Sequence, residues 1–344
     1  MHKGYKLSFF VFLITVLISC GQNPIKISEE EKINGLSFVA SRDTITQRHI
    51  EPLKSVYANW VSIMPFGFMN NLNSTKLYYN HPQQWYGERL DGVEQSIEIM
   101  HKNNIKVMLK PQIWIRKGEF TGYIEMLSEE DWASFESNYK GMILKFAEVA
   151  EQKKVEMFCI GTELNKFVTQ RPEFWRSLIA SVKKKYTGKI TYAENWDKIK
   201  SVSFWSELDF IGVDAYFPIS DEKTPGSETI NSAWKTINSN LKELSDIHQI
   251  PVLFTEFGYR SADFAGKEPW NSEKLEGQIN QKAQVILLQG LFDNVWSKDW
   301  FAGGFLWKWF HDPKNIMKWQ ENRFSVHGKK AEKVLTSNYE KYSE

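Results

Sequence analysis

Two stretches, VEMFCIGTELN (residues 155–165) and PVLFTEFGYR (251–260), each carry a short apolar, β-prone run that stops on a glutamate. Both runs are hydrophobic at successive positions rather than alternate ones, the pattern of a strand buried on both faces of a parallel sheet. Working outward, six further runs share that character: 33–40 (INGLSFVA), 60–65 (WVSIMP), 105–111 (IKVMLKP), 189–193 (KITYA), 208–215 (LDFIGVDA) and 303–309 (GGFLWKW). Helical periodicity lies between them over 92–103, 131–153, 174–186, 230–248 and 276–296. In the second of these Trp132, Phe135, Tyr139, Met142, Ile143, Phe146 and Val149 mark one side, and Ser128 three residues before Asp131 suits a helix N-cap. Strand and helix alternating along 344 residues predict an α/β fold, a single (β/α)8 TIM barrel. No glycine-rich phosphate loop follows the first run, which argues against a dinucleotide-binding sheet. Residues 65–90 show no strong period and are expected to form an enlarged second βα loop on the active-site face.

Functional residues of such barrels sit at the C-terminal ends of the strands. The fourth run ends at Glu163 and the seventh at Glu256, where a charge has no packing rationale. Each alone could be a salt-bridged strand-end residue; together they are candidate catalytic carboxylates. Lys110 and Trp114 flank the end of the third run, Asn195 and Trp196 follow the fifth, Tyr216 follows the sixth, and Trp307 lies on the eighth. All six are expected substrate contacts. A lysine within an apolar strand is expensive without a partner, so Lys110 is expected to meet either a substrate hydroxyl or a carboxylate. Asp209 falls at the start of the sixth strand and reads as structural. The histidines are scattered without metal-ligand spacing, and neither a metal nor another cofactor is expected.

With 43 basic and 42 acidic residues the net charge is +1, which offers no electrostatic footprint for nucleic acid. Aromatic residues make up 15%, including 14 Trp. Aromatics fill cores, but several of these Trp stand at strand ends, where indole faces suit sugar rings.

Taken together, IGTELN (160–165), LKPQIW (109–114), YAENWD (192–197), GVDAYFP (212–218) and TEFGYR (255–260) resemble glycoside hydrolase family 113, over about residues 33–320. Glutamates ending strands four and seven mark its clan, the retaining (β/α)8 hydrolases of clan A. Many clan members carry Asn before the acid/base, where this chain has Thr162; Thr there is in keeping with family 113. The resemblance implies a retaining endo-β-1,4-mannanase, with Glu163 as acid/base and Glu256 as nucleophile. It also implies that Tyr216 touches the nucleophile and that Trp307 floors the subsite of the attacked sugar. A β-glucanase or β-mannosidase is the alternative within that mechanism, and a catalytically silent glycan-binding surface lipoprotein the alternative outside it. The expected partner is a polysaccharide or oligosaccharide, met by a monomer.

At the N-terminus a short basic region precedes a 12-residue apolar run (LSFFVFLITVLI, 7–18), too short to span a bilayer comfortably but suited to export. The following LISCG (17–21) resembles a bacterial lipobox, so 1–19 is expected to be a lipoprotein signal peptide and Cys20 the lipidated residue. Residues 20–32 read as a polar tether and 33–340 as the catalytic domain. The expected location is an exported, lipid-anchored position on a bacterial membrane, the outer membrane, facing periplasm or surface. Cys159 is the one other cysteine, so no disulfide is expected.

Overall fold

The structure, a computed structural model, describes residues 1–2, 31–271, 278–312 and 321–343. The expected signal peptide and the lipidation at Cys20 therefore lie outside the described residues, as does nearly all of the tether.

The first half of the chain runs β1 (Ile33–Phe38), α1 (Gln47–Ser55), β2 (Trp60–Ile63), β3 (Phe66–Met69), α2 (Leu90–Lys102), β4 (Lys106–Leu109), β5 (Gln112–Ile115), α3 (Glu129–Gln152) and β6 (Met157–Thr162). It continues through α4 (Asn165–Gln170), α5 (Pro172–Lys183), β7 (Lys189–Asn195), β8 (Phe210–Asp214), α6 (Ser227–His248), β9 (Val252–Phe257), α7 (Gln281–Leu291), β10 (Phe301–Trp309) and α8 (Lys330–Lys341). Eight parallel strands close in the order β1-β10-β9-β8-β7-β6-β4-β2. All eight expected runs supply one barrel strand each. Successive residues alternate between two buried clusters. Trp60, Met108, Met157, Cys159, Leu253 and Phe305 belong to the set filling the barrel, and their neighbours Val61, Val107, Leu109, Phe158 and Ile160 join the layer under the helices. This is why the runs read as continuously apolar. Closure between β1 and β10 uses Gly303, whose φ of +123° is open to glycine and whose Cβ would collide with the Ile33 backbone.

The N-cap expected at Ser128 is present, its Oγ accepting from the Asp131 amide at 3.1 Å. Asp209 is at the base of the barrel, where its carboxylate accepts from the Ile190 amide at 2.8 Å. Residues 65–90 are less irregular than the sequence suggests. Pro65 and Pro111 interrupt β2 and β4, yet β3 and β5 resume the same pairing beyond them, with Ile63 opposite Leu109 and Phe66 opposite Gln112. Proline removes one ladder donor and bends each strand, so the pair peels away as a separate two-stranded sheet above the barrel mouth. Helices α1, which contains Pro52, and α8 lie outside the helical stretches expected from sequence. The final turn of the helix after β9, Phe292–Trp296, widens to a π-helix before β10.

Candidate active site

The barrel mouth opens into a cleft of about 1330 Å³ lined by Glu163, Glu256, Trp114, Trp307 and Trp270 together with residues of β3, β5 and the loops beyond them. Glu256, at 7% exposure, ends β9 with its side chain fully engaged. Its Oε1 accepts from Lys110 Nζ at 2.7 Å and from Gln112 Nε2 at 3.3 Å, and its Oε2 accepts from the Tyr216 hydroxyl at 2.8 Å. Three donors on one carboxylate fix its orientation. Tyr216 thus meets the nucleophile candidate as the resemblance implied.

Lys110 corrects its expected place among the substrate contacts. It is completely buried and donates to Asp214 Oδ1 at 3.1 Å as well as to Glu256. Burial alone would discharge this ammonium, but Asp214 and Glu256 outweigh it and hold its pKa above the usual lysine value. The cost of an isolated lysine is thereby met by two carboxylates, not by a sugar. Burial first, then the charge of Glu256, raises the Asp214 pKa to about 7, against the pull of Lys110 and of the Thr255 hydroxyl, which donates to its Oδ1 at 2.7 Å.

Glu163 sits in a tight turn between β6 and α4, with φ at +52°, a left-handed conformation uncommon for a residue with a side chain. Its amide donates to Ala193 O at 2.8 Å and its carbonyl accepts from the Thr121 hydroxyl at 3.3 Å. Among the described residues the half-buried carboxyl lacks the donors that surround Glu256, and its pKa is pushed well above the usual value, by burial foremost and then by the charges of Asp214 and Glu256. Two carboxylates in one cleft are thus set apart, one solvated by fixed donors and one whose burial and charged neighbours favour its protonated form. That division provides a nucleophile and a general acid.

Trp114 (51% exposed) and Trp307 line the cleft, Trp114 standing edge-on to Phe66 at 6.1 Å between ring centroids. Asn195 and Trp196 lie outside that lining. Trp196 packs on Trp270 at 5.4 Å and so supports a rim residue instead of forming the rim. Sequence reading missed Gln112, Tyr192, Glu194 and Trp270. Gln112 was within reach, since it sits in LKPQIW at a strand end; the others depend on which strands become neighbours. Among the described residues, no group of three or more His, Cys, Asp or Glu is arranged to hold a metal ion.

Residues 40–329 match the family model of Glycoside Hydrolase Family 113. Among solved structures, a family 113 β-mannanase from Alicyclobacillus acidocaldarius in complex with ManMIm is 25% identical, with a TM-score of 0.79 over 91% of this chain and 99% of its own. A second structure, described as a complex of a family 113 β-1,4-mannanase, is 25% identical with a TM-score of 0.77, over 90% and 99%. A β-glucuronidase from Ruminococcus gnavus shares the fold at 15% identity and a TM-score of 0.61, over 90% of this chain and 50% of its own. No curated protein matches the chain.

Proposed function

Because the chain belongs to glycoside hydrolase family 113, we propose that it is a retaining endo-β-1,4-mannanase acting by double displacement. The observation that carries this reading is the division between Glu256, held by three donors, and Glu163, buried in the same cleft with its pKa pushed upward. In the first step Glu256 attacks the anomeric carbon as the glycosidic bond breaks and Glu163 gives its proton to the departing oxygen. In the second, a water loses its proton to the Glu163 carboxylate and attacks the same carbon, releasing Glu256. Two inversions return the original configuration.

Mannan as the substrate is supported by the two mannanase structures at 25% identity that cover the chain almost end to end. Endo action is supported by the cleft, which exceeds the usual span of about 300–1,000 Å³ for a small-molecule pocket. It is also open, and exposed aromatic rings at Trp85, Trp114, Phe120 and Trp270 extend beyond the two carboxylates. Such rings offer flat apolar faces for sugars on both sides of the cut. The test is a product profile on mannan, glucomannan, cellulose and xylan. Mannan and glucomannan are expected to yield a ladder of oligosaccharides early in the reaction. Release of single sugars only, or preferential cleavage of cellulose or xylan, would replace the reading.

The chain is further read as exported and lipid-anchored, with residues 1–19 removed and Cys20 modified. The lipobox-like LISCG and the polar stretch after it support this. Retention of the protein in membranes, and its release when Cys20 is changed to Ser, is the corresponding check.

A further inference from the structure

The turn that carries Glu163 is clamped from the neighbouring strand by groups to which the double displacement assigns no role. Leu164, the next residue, donates its amide to the Tyr192 hydroxyl at 2.8 Å, and that hydroxyl donates onward to Glu194 Oε2 at 3.2 Å. Glu194 Oε1 is in turn fixed by the Asn195 amide at 2.9 Å. Tyr192 and Glu194 are both completely buried, and among the described residues no Lys, Arg or His forms an ion pair with Glu194. A fully buried carboxyl without a cation is costly, and a left-handed glutamate turn needs its surroundings to hold it. Here the two costs sit on opposite ends of one hydrogen-bond chain.

From this chain we propose that Tyr192 and Glu194 are positioning residues for Glu163: Tyr192 holds the turn that presents the acid/base, and Glu194 anchors the Tyr192 hydroxyl. The proposal rests on Glu163 acting as acid/base in the reading above. Charges facing the pair are Asp214, Glu256 and Lys110 across the barrel mouth, and Asp197 and Lys198 just after β7. Burial, and then Asp214 and Asp197, raise the Glu194 pKa to about 7 against its two hydrogen bonds. As pH rises through that value Glu194 gains its charge and opposes loss of the Glu163 proton. The general acid then persists further into the alkaline range than burial alone would allow.

The experiment compares full-length wild type with Glu194→Gln and Tyr192→Phe on two substrates. One is a β-1,4-mannooligosaccharide, whose leaving group needs a proton; the other is 2,4-dinitrophenyl β-mannoside, whose leaving group does not. Glu194→Gln is expected to lower kcat/KM on the oligosaccharide by about tenfold, a fraction of what acid catalysis supplies, and to leave the dinitrophenyl substrate within about twofold. Its alkaline limb should move down, since one of the charges that raise the Glu163 pKa, the last after Asp214 and Glu256, is gone. Tyr192→Phe keeps its ring packed on Trp175 at 5.2 Å and should show the same dependence on leaving group. Equal losses on both substrates with an unmoved limb would mean a merely structural role and overturn the proposal, as would wild-type behaviour of both variants. A wild type that cleaves neither mannoside would overturn the mannanase reading itself and this proposal with it.

Discussion

Glu256→Ala is expected to lower kcat on β-1,4-mannan by about 10⁴-fold or more, the scale of removing a covalent nucleophile, without lowering the melting temperature. The loss in rate follows from Glu256 being the carboxylate that three donors aim into the cleft. The unchanged stability follows from what the same side chain does to its surroundings. Its charge is the second cause, after burial, of the raised Asp214 pKa, so deleting it relieves a repulsion that offsets the lost pair with Lys110, while Lys110 keeps Asp214 as its partner. Catalytic sites commonly hold such tension at the expense of stability. Steady-state rates on mannan and thermal unfolding followed by circular dichroism check both halves. A kcat within tenfold of wild type would remove Glu256 from the chemistry.

Lys110→Met is expected to have the largest effect on folding. Lys110 is completely buried between Asp214 and Glu256, and breaking a buried ion pair by removing one partner typically costs about 3–5 kcal/mol. Methionine fills most of the volume, so lost charge dominates over lost packing. The deficit should depend on pH. The folded-state pKa of Asp214 is already raised to about 7, so its contribution to stability is fully present in acid and is lost as pH rises towards that value. Without the ammonium the carboxyls resist ionisation still more, so the stability gap to wild type should widen from pH 5 to pH 8. Activity should fall as well, because Glu256 loses one of its aiming donors. Denaturant unfolding at both pH values measures the gap. A variant equal to wild type at pH 8 would show that the triad contributes nothing to stability.

Why some of these residues were legible in sequence and others not has a physical cause. Barrel strands buried on both faces must be apolar throughout, so a polar residue at a strand end stands out, and Glu163, Glu256 and Tyr216 stood out in that way. Lys110 stood out equally. Its chemistry was still ambiguous, because only closure of the barrel brings β4 across from β8 and β9, where Asp214 and Glu256 wait. Glu194 and Tyr192 lay within YAENWD (192–197), but nothing local showed what they hold. Their meaning depends on β7 lying beside β6, so that a tyrosine hydroxyl reaches the amide after Glu163. Asn195 and Trp196 lie outside the cleft lining, because a strand-end position does not decide whether a side chain faces the cleft or braces its rim. The small β3–β5 sheet was hidden by two prolines, which look like terminators in sequence but here only bend a pairing that continues in register.

The central claim is that Glu163 and Glu256 cleave a β-1,4-mannan with retention of configuration. Proton NMR of the anomeric region in the first minutes of mannooligosaccharide hydrolysis, before mutarotation, tests it most directly. The account predicts that the β-anomer of the newly formed reducing end appears first and the α-anomer only later. An α-anomer formed first would mean single displacement by water and would contradict the nucleophilic role of Glu256.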